Sequence, residues 1–139
     1  MKRHLLFVVT ALFAASVVLA MINQARSQPR ENVGAFMRAK LEHSQNVLEG
    51  LTTEDFEMIS KNASQMEVLS QEAAWQVLQT PEYRQQSLEF RRATKSLKEA
   101  ADKEDINGAA LAYVDVTMKC VKCHQYVRTV RNASAYDGL

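Results

Sequence analysis

Apolar side chains recur every three or four residues in four stretches of this 139-residue chain. That period is typical of amphipathic α-helices, and no β-strand is needed to account for the pattern. Glycine and proline are scarce, at 4 and 2 residues, which also favours helix. Four amphipathic helices with short connections predict an all-α fold, an antiparallel up-down-up-down four-helix bundle.

The stripe of each helix predicts its buried face. In the first helix the stripe comprises Val33, Met37, Leu41, Ser44, Leu48 and Leu51. In the second helix it comprises Phe56, Ile59, Ala63, Met66 and either Leu69 or Ser70. In the third helix it comprises Tyr83, Ser87, Phe90, Thr94, Leu97 and Ala101. In the fourth helix it comprises Ile106, Ala109, Tyr113, Val116, Cys120, Cys123 and Val127.

Capping chemistry predicts where these helices begin and end. Gly50 fits a glycine cap at the end of the first helix, and the segment from Thr52 to Asp55 has the form of a capping box that opens the second. Thr80 followed by Pro81 is a favourable start for the third helix. Asp105 is predicted to cap the fourth.

Residues 1–27 have the pattern of an export signal. A basic start precedes an uncharged run from Leu5 to Ile22, and a small-residue cleavage pattern follows near Ser27. An uncleaved membrane anchor is the alternative, because the run is just long enough to span a bilayer. Both outcomes place the domain of residues 28–139 outside the cytoplasm, in the periplasm, and only the second attaches it to the membrane.

The charge of the exported part differs from that of the whole chain. Lys2, Arg3 and Arg26 precede residue 28, which leaves 14 Lys and Arg against 16 Asp and Glu, a net charge of about −2. Domains that bind nucleic acid carry a basic surface. The composition therefore argues against a nucleic-acid partner.

The only two cysteines, Cys120 and Cys123, are followed at once by His124. A C-x-x-C-H run is the attachment signature of c-type haem, in which both thiols bond the porphyrin vinyl groups and the imidazole is the proximal iron ligand. On a helix these three positions share one face. A redox C-x-x-C needs a βαβ context and a zinc site needs a second ligand pair, and the sequence supplies neither. One covalent haem c is the expected cofactor, and a chance motif with a local disulfide is the alternative.

The chain resembles class II c-type cytochromes, the family of cytochrome c′ and its low-spin relatives. The resemblance covers residues 33–131 and rests on the C-x-x-C-H run in the last helix, on Arg128 four residues after His124, and on the segment from Phe36 to Arg38. It implies a haem-bearing four-helix bundle with Arg128 near the proximal imidazole or the propionates. Val127 departs from the family, which often has an aromatic residue at that position.

The resemblance also implies that the sixth iron position decides function. A Met near the position of Met37 ligates iron in the low-spin members, whereas in cytochrome c′ the corresponding side chain only covers the distal face. Met37 is therefore the expected sixth ligand, with distal cover as the alternative and Met66 as a rival ligand. His43 lies six residues after Met37 and should point away from the haem, as a histidine on the protein surface. Lys40 is nearer the required face but is expected to be protonated and a poor ligand.

These observations predict an exported mono-haem cytochrome that carries single electrons and is not an enzyme. Thioether ligation raises the reduction potential and suits electron transfer. A redox protein is the expected partner. Lys119, Lys122, Arg128 and Arg131 make the surroundings of the motif locally basic, which is compatible either with steering of an acidic partner or with an ordinary solvated face. One alternative is a cytochrome c′-like protein that binds nitric oxide or carbon monoxide, and another is a module whose haem only fills the core. The resemblance is also compatible with a homodimer.

Overall fold

A computed structural model describes residues 33–72 and 78–136, with side chains as far as residue 133. The described residues contain no β-strand and four α-helices: α1 (33–53), α2 (Phe56–Leu69), α3 (Pro81–Asp102) and α4 (Ile106–Tyr136). The predicted antiparallel four-helix bundle is confirmed.

Two compact units divide the chain, Met1–Ala35 and Phe36–Leu139. The predicted signal segment, 1–27, lies outside the described residues, as does residue 28, where the exported domain is predicted to begin. None of the helices in the described ranges has the length and apolar character needed to cross a membrane.

All four helices contribute side chains to one hydrophobic core. Its fully buried members are Val47, Ile59, Ala63, Met66, Phe90, Ala93, Leu97, Ala101, Ala109 and Val116. The predicted stripe of α3 is buried in full. On α2 and α4, every residue that belongs to the hydrophobic core lies on the predicted stripe. Three of the four predicted faces are therefore confirmed.

The buried face of α1 differs from the prediction. Leu41 and Leu48, both on the predicted stripe, are 58% and 50% exposed, whereas Lys40 and Val47 are 7% and 0% exposed. The buried line of the helix passes through Lys40, Val47 and Gly50. An apolar pattern cannot reveal this line, because one of its members carries a charge and another has no side chain.

Gly50 does not end α1, which continues to residue 53. No described glycine has a positive φ. A Cβ at Gly50 would lie 2.8 Å from Cγ1 of Ile59 and 3.1 Å from the carbonyl oxygen of Asp55. The glycine therefore allows α1 to approach the start of α2 closely, which is a packing role rather than a capping role.

The N-termini of the other helices follow capping chemistry. The side chain of Asp55, rather than that of a threonine, caps α2 by accepting a hydrogen bond from the Met58 amide at 2.8 Å. Thr80 accepts one from the Tyr83 amide at 3.2 Å and Pro81 is the first residue of α3, as predicted. At the start of α4 the Asp105 carboxylate accepts a hydrogen bond from the amide of Gly108 at 2.9 Å, which confirms its capping role.

Side-chain hydrogen bonds connect α1 to two neighbouring helices. The Tyr113 hydroxyl on α4 donates to the carbonyl oxygen of Ser44 on α1 at 3.1 Å and lies 3.2 Å from the Ser44 hydroxyl. Nδ1 of His43 lies 2.9 Å from Oδ1 of Asn62 on α2. These contacts fix the rotation of α1, and hence which of its side chains face α4.

Candidate functional site

A cavity of about 520 Å³ lies between α1 and α4, with one side chain each from α2 and α3. From α1 it is lined by Met37, Arg38, Lys40, Leu41 and Ser44. Met66 of α2 and Phe90 of α3 complete the inner wall. From α4 it is lined by Tyr113, Thr117, Lys119, Cys120, Cys123 and His124. The volume falls within the range of pockets that enclose a cofactor-sized ligand.

The C-x-x-C-H run lies within the uninterrupted helix α4, and all three of its functional side chains line the cavity. Cys120 is half-buried, Cys123 is buried and His124 is exposed to the open cavity. Both cysteines are free thiols, so the local disulfide is not formed. Burial raises the pKa of both thiols, and the nearby Lys40 opposes that effect.

Met37 and Met66 both reach the cavity that holds the motif. Met37 is half-buried on α1, across the cavity from the motif helix, whereas Met66 is 1% exposed and belongs to the core cluster. Two thioether side chains thus line the same cavity. Which of them, if either, ligates iron stays a prediction.

Arg128 and His43 lie away from the cavity. Arg128 is exposed on α4, one turn beyond His124, and does not line the cavity. Its position near the imidazole or propionates stays a prediction. His43 does not line the cavity either, but it is half-buried against Asn62 of α2 rather than lying on the surface.

Lys40 is a cavity-lining side chain whose burial the hydrophobic pattern does not predict. It is 7% exposed, it lines the cavity, and its Nζ lies 3.3 Å from the centroid of the Phe90 ring. Burial lowers the pKa of Lys40 from 10.5 to about 7, although the neighbouring Cys120 and Cys123 act in the opposite direction. Burial therefore weakens the expected protonation of this lysine near neutral pH. Lys40 lies seven residues before the buried Val47, and this spacing places both side chains on the same face of α1.

Carboxylates partly neutralise the basic surroundings of the motif. Nζ of Lys119 lies 3.5 Å from Oε2 of Glu89 and 3.5 Å from Oδ1 of Asp115, and Nζ of Lys122 lies 3.6 Å from the same Glu89 oxygen. A hydrogen bond from Gln85 and the two lysines lower the pKa of Glu89. The net positive charge available to steer an acidic partner is therefore smaller than the sequence indicates.

Solved structures of cytochrome c′ from Alcaligenes xylosoxidans are similar to this chain. A ferrous variant with bound nitric oxide matches at a TM-score of 0.56 and 19% identity, covering 72% of this chain and 94% of that one. A variant with bound carbon monoxide matches at 0.55 and 19%, covering 71% and 94%. The ferric protein matches at 0.54 and 21%, also covering 71% and 94%.

At 19–21% identity these likenesses show the fold. No protein-family model and no curated protein matches the chain. The chemistry of the cavity therefore has to be argued from its own residues.

Proposed function

We propose that this chain is an exported, periplasmic mono-haem c-type cytochrome that carries single electrons. The observation that supports the proposal is the meeting, in one cavity, of Cys120, Cys123 and His124 from α4 with Met37 from α1. Haem c bound there supplies one-electron chemistry by cycling between Fe(II) and Fe(III). The protein supplies the attachment residues, the axial ligands and the apolar surroundings of the haem. It is not an enzyme.

The residues of the cavity fit a covalently bound haem. Two free thiols and an imidazole at positions i, i+3 and i+4 of one helix face the same space. Cys120 and Cys123 would form the thioether bonds, and His124 would be the proximal ligand. Met66 and Phe90 close the inner wall, where they exclude water and so favour the less charged, reduced iron.

Met37 is the proposed sixth ligand. It lines the α1 side of the cavity, across from the helix that carries His124, and its half-buried position leaves it free to change rotamer. A thioether opposite an imidazole raises the reduction potential and suits an electron carrier. Arg128 is retained as a proposed contact of the propionates, because an exposed arginine one turn from His124 can fold back over the haem edge.

Binding of a diatomic gas is the second candidate function. The specific observation in its favour is the structural likeness to cytochrome c′ proteins that hold nitric oxide or carbon monoxide. In that case Met37 would cover the haem without bonding iron and would leave the iron open to the gas. The choice between the two functions depends on the bond between Met37 and iron.

Optical spectra of the ferric and ferrous protein, purified after haem attachment, test the proposal. Electron transfer through His/Met ligation predicts a low-spin spectrum in both states, with a sulfur-to-iron band in the ferric state that Met37→Ala removes. Met66→Ala is the matched control and should keep that band. A high-spin, five-coordinate spectrum with rapid carbon monoxide binding would support the gas-binding function, and a chain without covalent haem would contradict both.

A further inference from the structure

Helix α4 carries apolar side chains on two opposite faces. One face is the stripe that packs into the core, and Val116 near its middle is fully buried. The opposite face carries four large apolar side chains that are 74%, 59%, 59% and 44% exposed: Leu111, Val114, Met118 and Val121. These four residues form the outer stripe of α4.

The outer stripe differs from the solvent-facing side of the neighbouring helix. The exposed positions in the second half of α3 carry polar or charged side chains, such as Arg92, Lys95 and Glu99. On α4 the one charged residue beside the middle of the stripe is Asp115, and Nζ of Lys119 lies 3.5 Å from its Oδ1. Members of the stripe are one turn apart and therefore adjoin on the helix surface. An apolar surface that stays exposed in this way marks an interaction site.

The spacing of the outer stripe fits another helix. Its members are three, four and three residues apart, which is the heptad spacing of side chains that pack between two helices. The stripe is also symmetric about Val116, because Leu111 and Val121 each lie five residues from it. Val114 and Met118 each lie two residues from it. An antiparallel second copy would therefore place Leu111 opposite Val121 of that copy, and Val114 opposite Met118.

The charges beyond the two ends of the outer stripe are opposite in sign. The connection before α4 contains the exposed Glu104 and Asp105 against a single base, Lys103. Beyond the stripe, α4 carries no acidic residue and three exposed basic ones: Lys122, Arg128 and Arg131. Antiparallel packing brings the acidic end of one α4 to the basic end of the other, whereas parallel packing would bring like charges together.

We propose that the outer stripe is the docking surface for a second copy of this chain, with two α4 helices packed antiparallel about a twofold axis near Val116. Such a contact uses the same surface on both copies and therefore closes at a dimer. The inference goes beyond the proposed electron carrier, because it assigns a surface and a partner. None of the four stripe residues lines the cavity, so the dimer can be tested separately from the haem chemistry.

Sedimentation equilibrium of the haem-loaded protein, at about 1–300 μM, tests the proposal, and the native protein should become dimeric within this range. Val114→Asp should weaken association about tenfold or more, because it places a carboxylate against an apolar side chain of the second copy. Met118→Lys should do the same with an ammonium group. Both positions are exposed in the single chain, so each variant should keep the helical circular dichroism of the native protein.

A mixture of the two variants tests the antiparallel register. In that register the carboxylate introduced at position 114 of one chain faces the ammonium group introduced at position 118 of the other. The equimolar mixture of Val114→Asp and Met118→Lys should therefore associate about tenfold more tightly than either variant alone. In a parallel pair each position would face itself, and mixing would bring no such recovery.

Val68→Asp is the matched control. Val68 is also an exposed valine, at 51% against 59% for Val114, but it lies on α2. Its replacement should change the dimer dissociation constant by no more than about threefold, because it lies outside the interface. An equal loss of dimer in Val68→Asp and Val114→Asp would place the interface elsewhere and overturn the inference.

Other results would also overturn the inference. A native protein that is monomeric at every concentration would do so, whether a different protein or another segment of this chain covers the stripe. A dimer that Val114→Asp leaves intact would exclude the stripe as its interface, and a mixture without recovery would exclude the antiparallel register. Absence of covalent haem in a protein that still dimerises through the stripe would contradict only the proposed function.

Discussion

The Tyr113 hydroxyl on α4 donates a hydrogen bond to the carbonyl oxygen of Ser44 on α1, at 3.1 Å and across 69 residues of sequence. Both residues line the cavity. The bond therefore joins the helix that carries the C-x-x-C-H motif to the helix that carries Met37 and Lys40. It fixes the two walls of the site relative to each other.

Tyr113→Phe should destabilise the fold by about 1 kcal/mol, because it removes the donor and leaves the Ser44 carbonyl less well satisfied. Urea denaturation measures the change. Thr129→Val is the control, since the Thr129 hydroxyl is exposed and donates only within its own helix, to the Gln125 carbonyl at 3.1 Å. Equal midpoints for Tyr113→Phe and the native chain would show that this contact does not join the helices.

Gly50→Ala should also destabilise the fold, although the same change inside an exposed helix stabilises by about 1 kcal/mol. The new methyl group would lie 2.8 Å from Ile59 and 3.1 Å from the Asp55 carbonyl oxygen, and such overpacking costs about 1–3 kcal/mol. Gln45→Ala, at an exposed position of α1, is the control and should change stability by less than about 0.5 kcal/mol. A rise in the urea midpoint of Gly50→Ala would contradict the packing role.

The hydrophobic pattern and the capping residues were sufficient to predict most of the fold. On α3 the stripe from Tyr83 to Ala101 is buried as predicted, because its members are mainly apolar and the helix has a clear N-cap in Thr80. The motif on α4 could be predicted equally well from the sequence, because its three side chains are neighbours on one helical face.

The inward face of α1 could not be predicted in the same way. Lys40 and Gly50 are buried for reasons that lie on other helices, the Phe90 ring in one case and the close approach of Ile59 in the other. A hydrophobic pattern assigns a lysine to solvent and a glycine to a helix end. Contacts between helices overrode both expectations.

Replacement of the cysteines separates the two proposed thioether bonds. Cys120→Ser and Cys123→Ser should each retain haem through the remaining sulfur, because both thiols line the cavity independently. The double variant should lose all covalent haem. Haem staining after denaturing electrophoresis measures this, and Met118→Ser, at a residue that is 59% exposed on the same helix, is the control. Haem that survives denaturation of the double variant would contradict attachment at these residues.

Lys40 should make the stability of the haem-free chain depend on pH. In the unfolded chain a lysine keeps its proton up to about pH 10.5, whereas folded Lys40 loses it near pH 7 because of burial. Between these values the unfolded state binds more protons, so the free energy of unfolding rises with pH. The slope should approach about 1.4 kcal/mol per pH unit from this group alone.

The thiols of Cys120 and Cys123 limit the pH range over which the free energy of unfolding rises. Burial raises the pKa of Cys120 and Cys123 above 9.0 in the folded chain, so their contribution to stability is lost as the pH rises beyond that value. Urea midpoints of the reduced, haem-free chain should therefore increase from pH 7 to about pH 9 and then stop rising, because above that value two thiols act against one lysine. Lys40→Met should be more stable than the native chain at pH 7 and should lack the rise, whereas Lys119→Met, whose lysine is held by surface ion pairs, should keep it. Parallel pH profiles for the native chain and Lys40→Met would mean that the amine is hydrated in solution, because a solvated lysine titrates alike in both states.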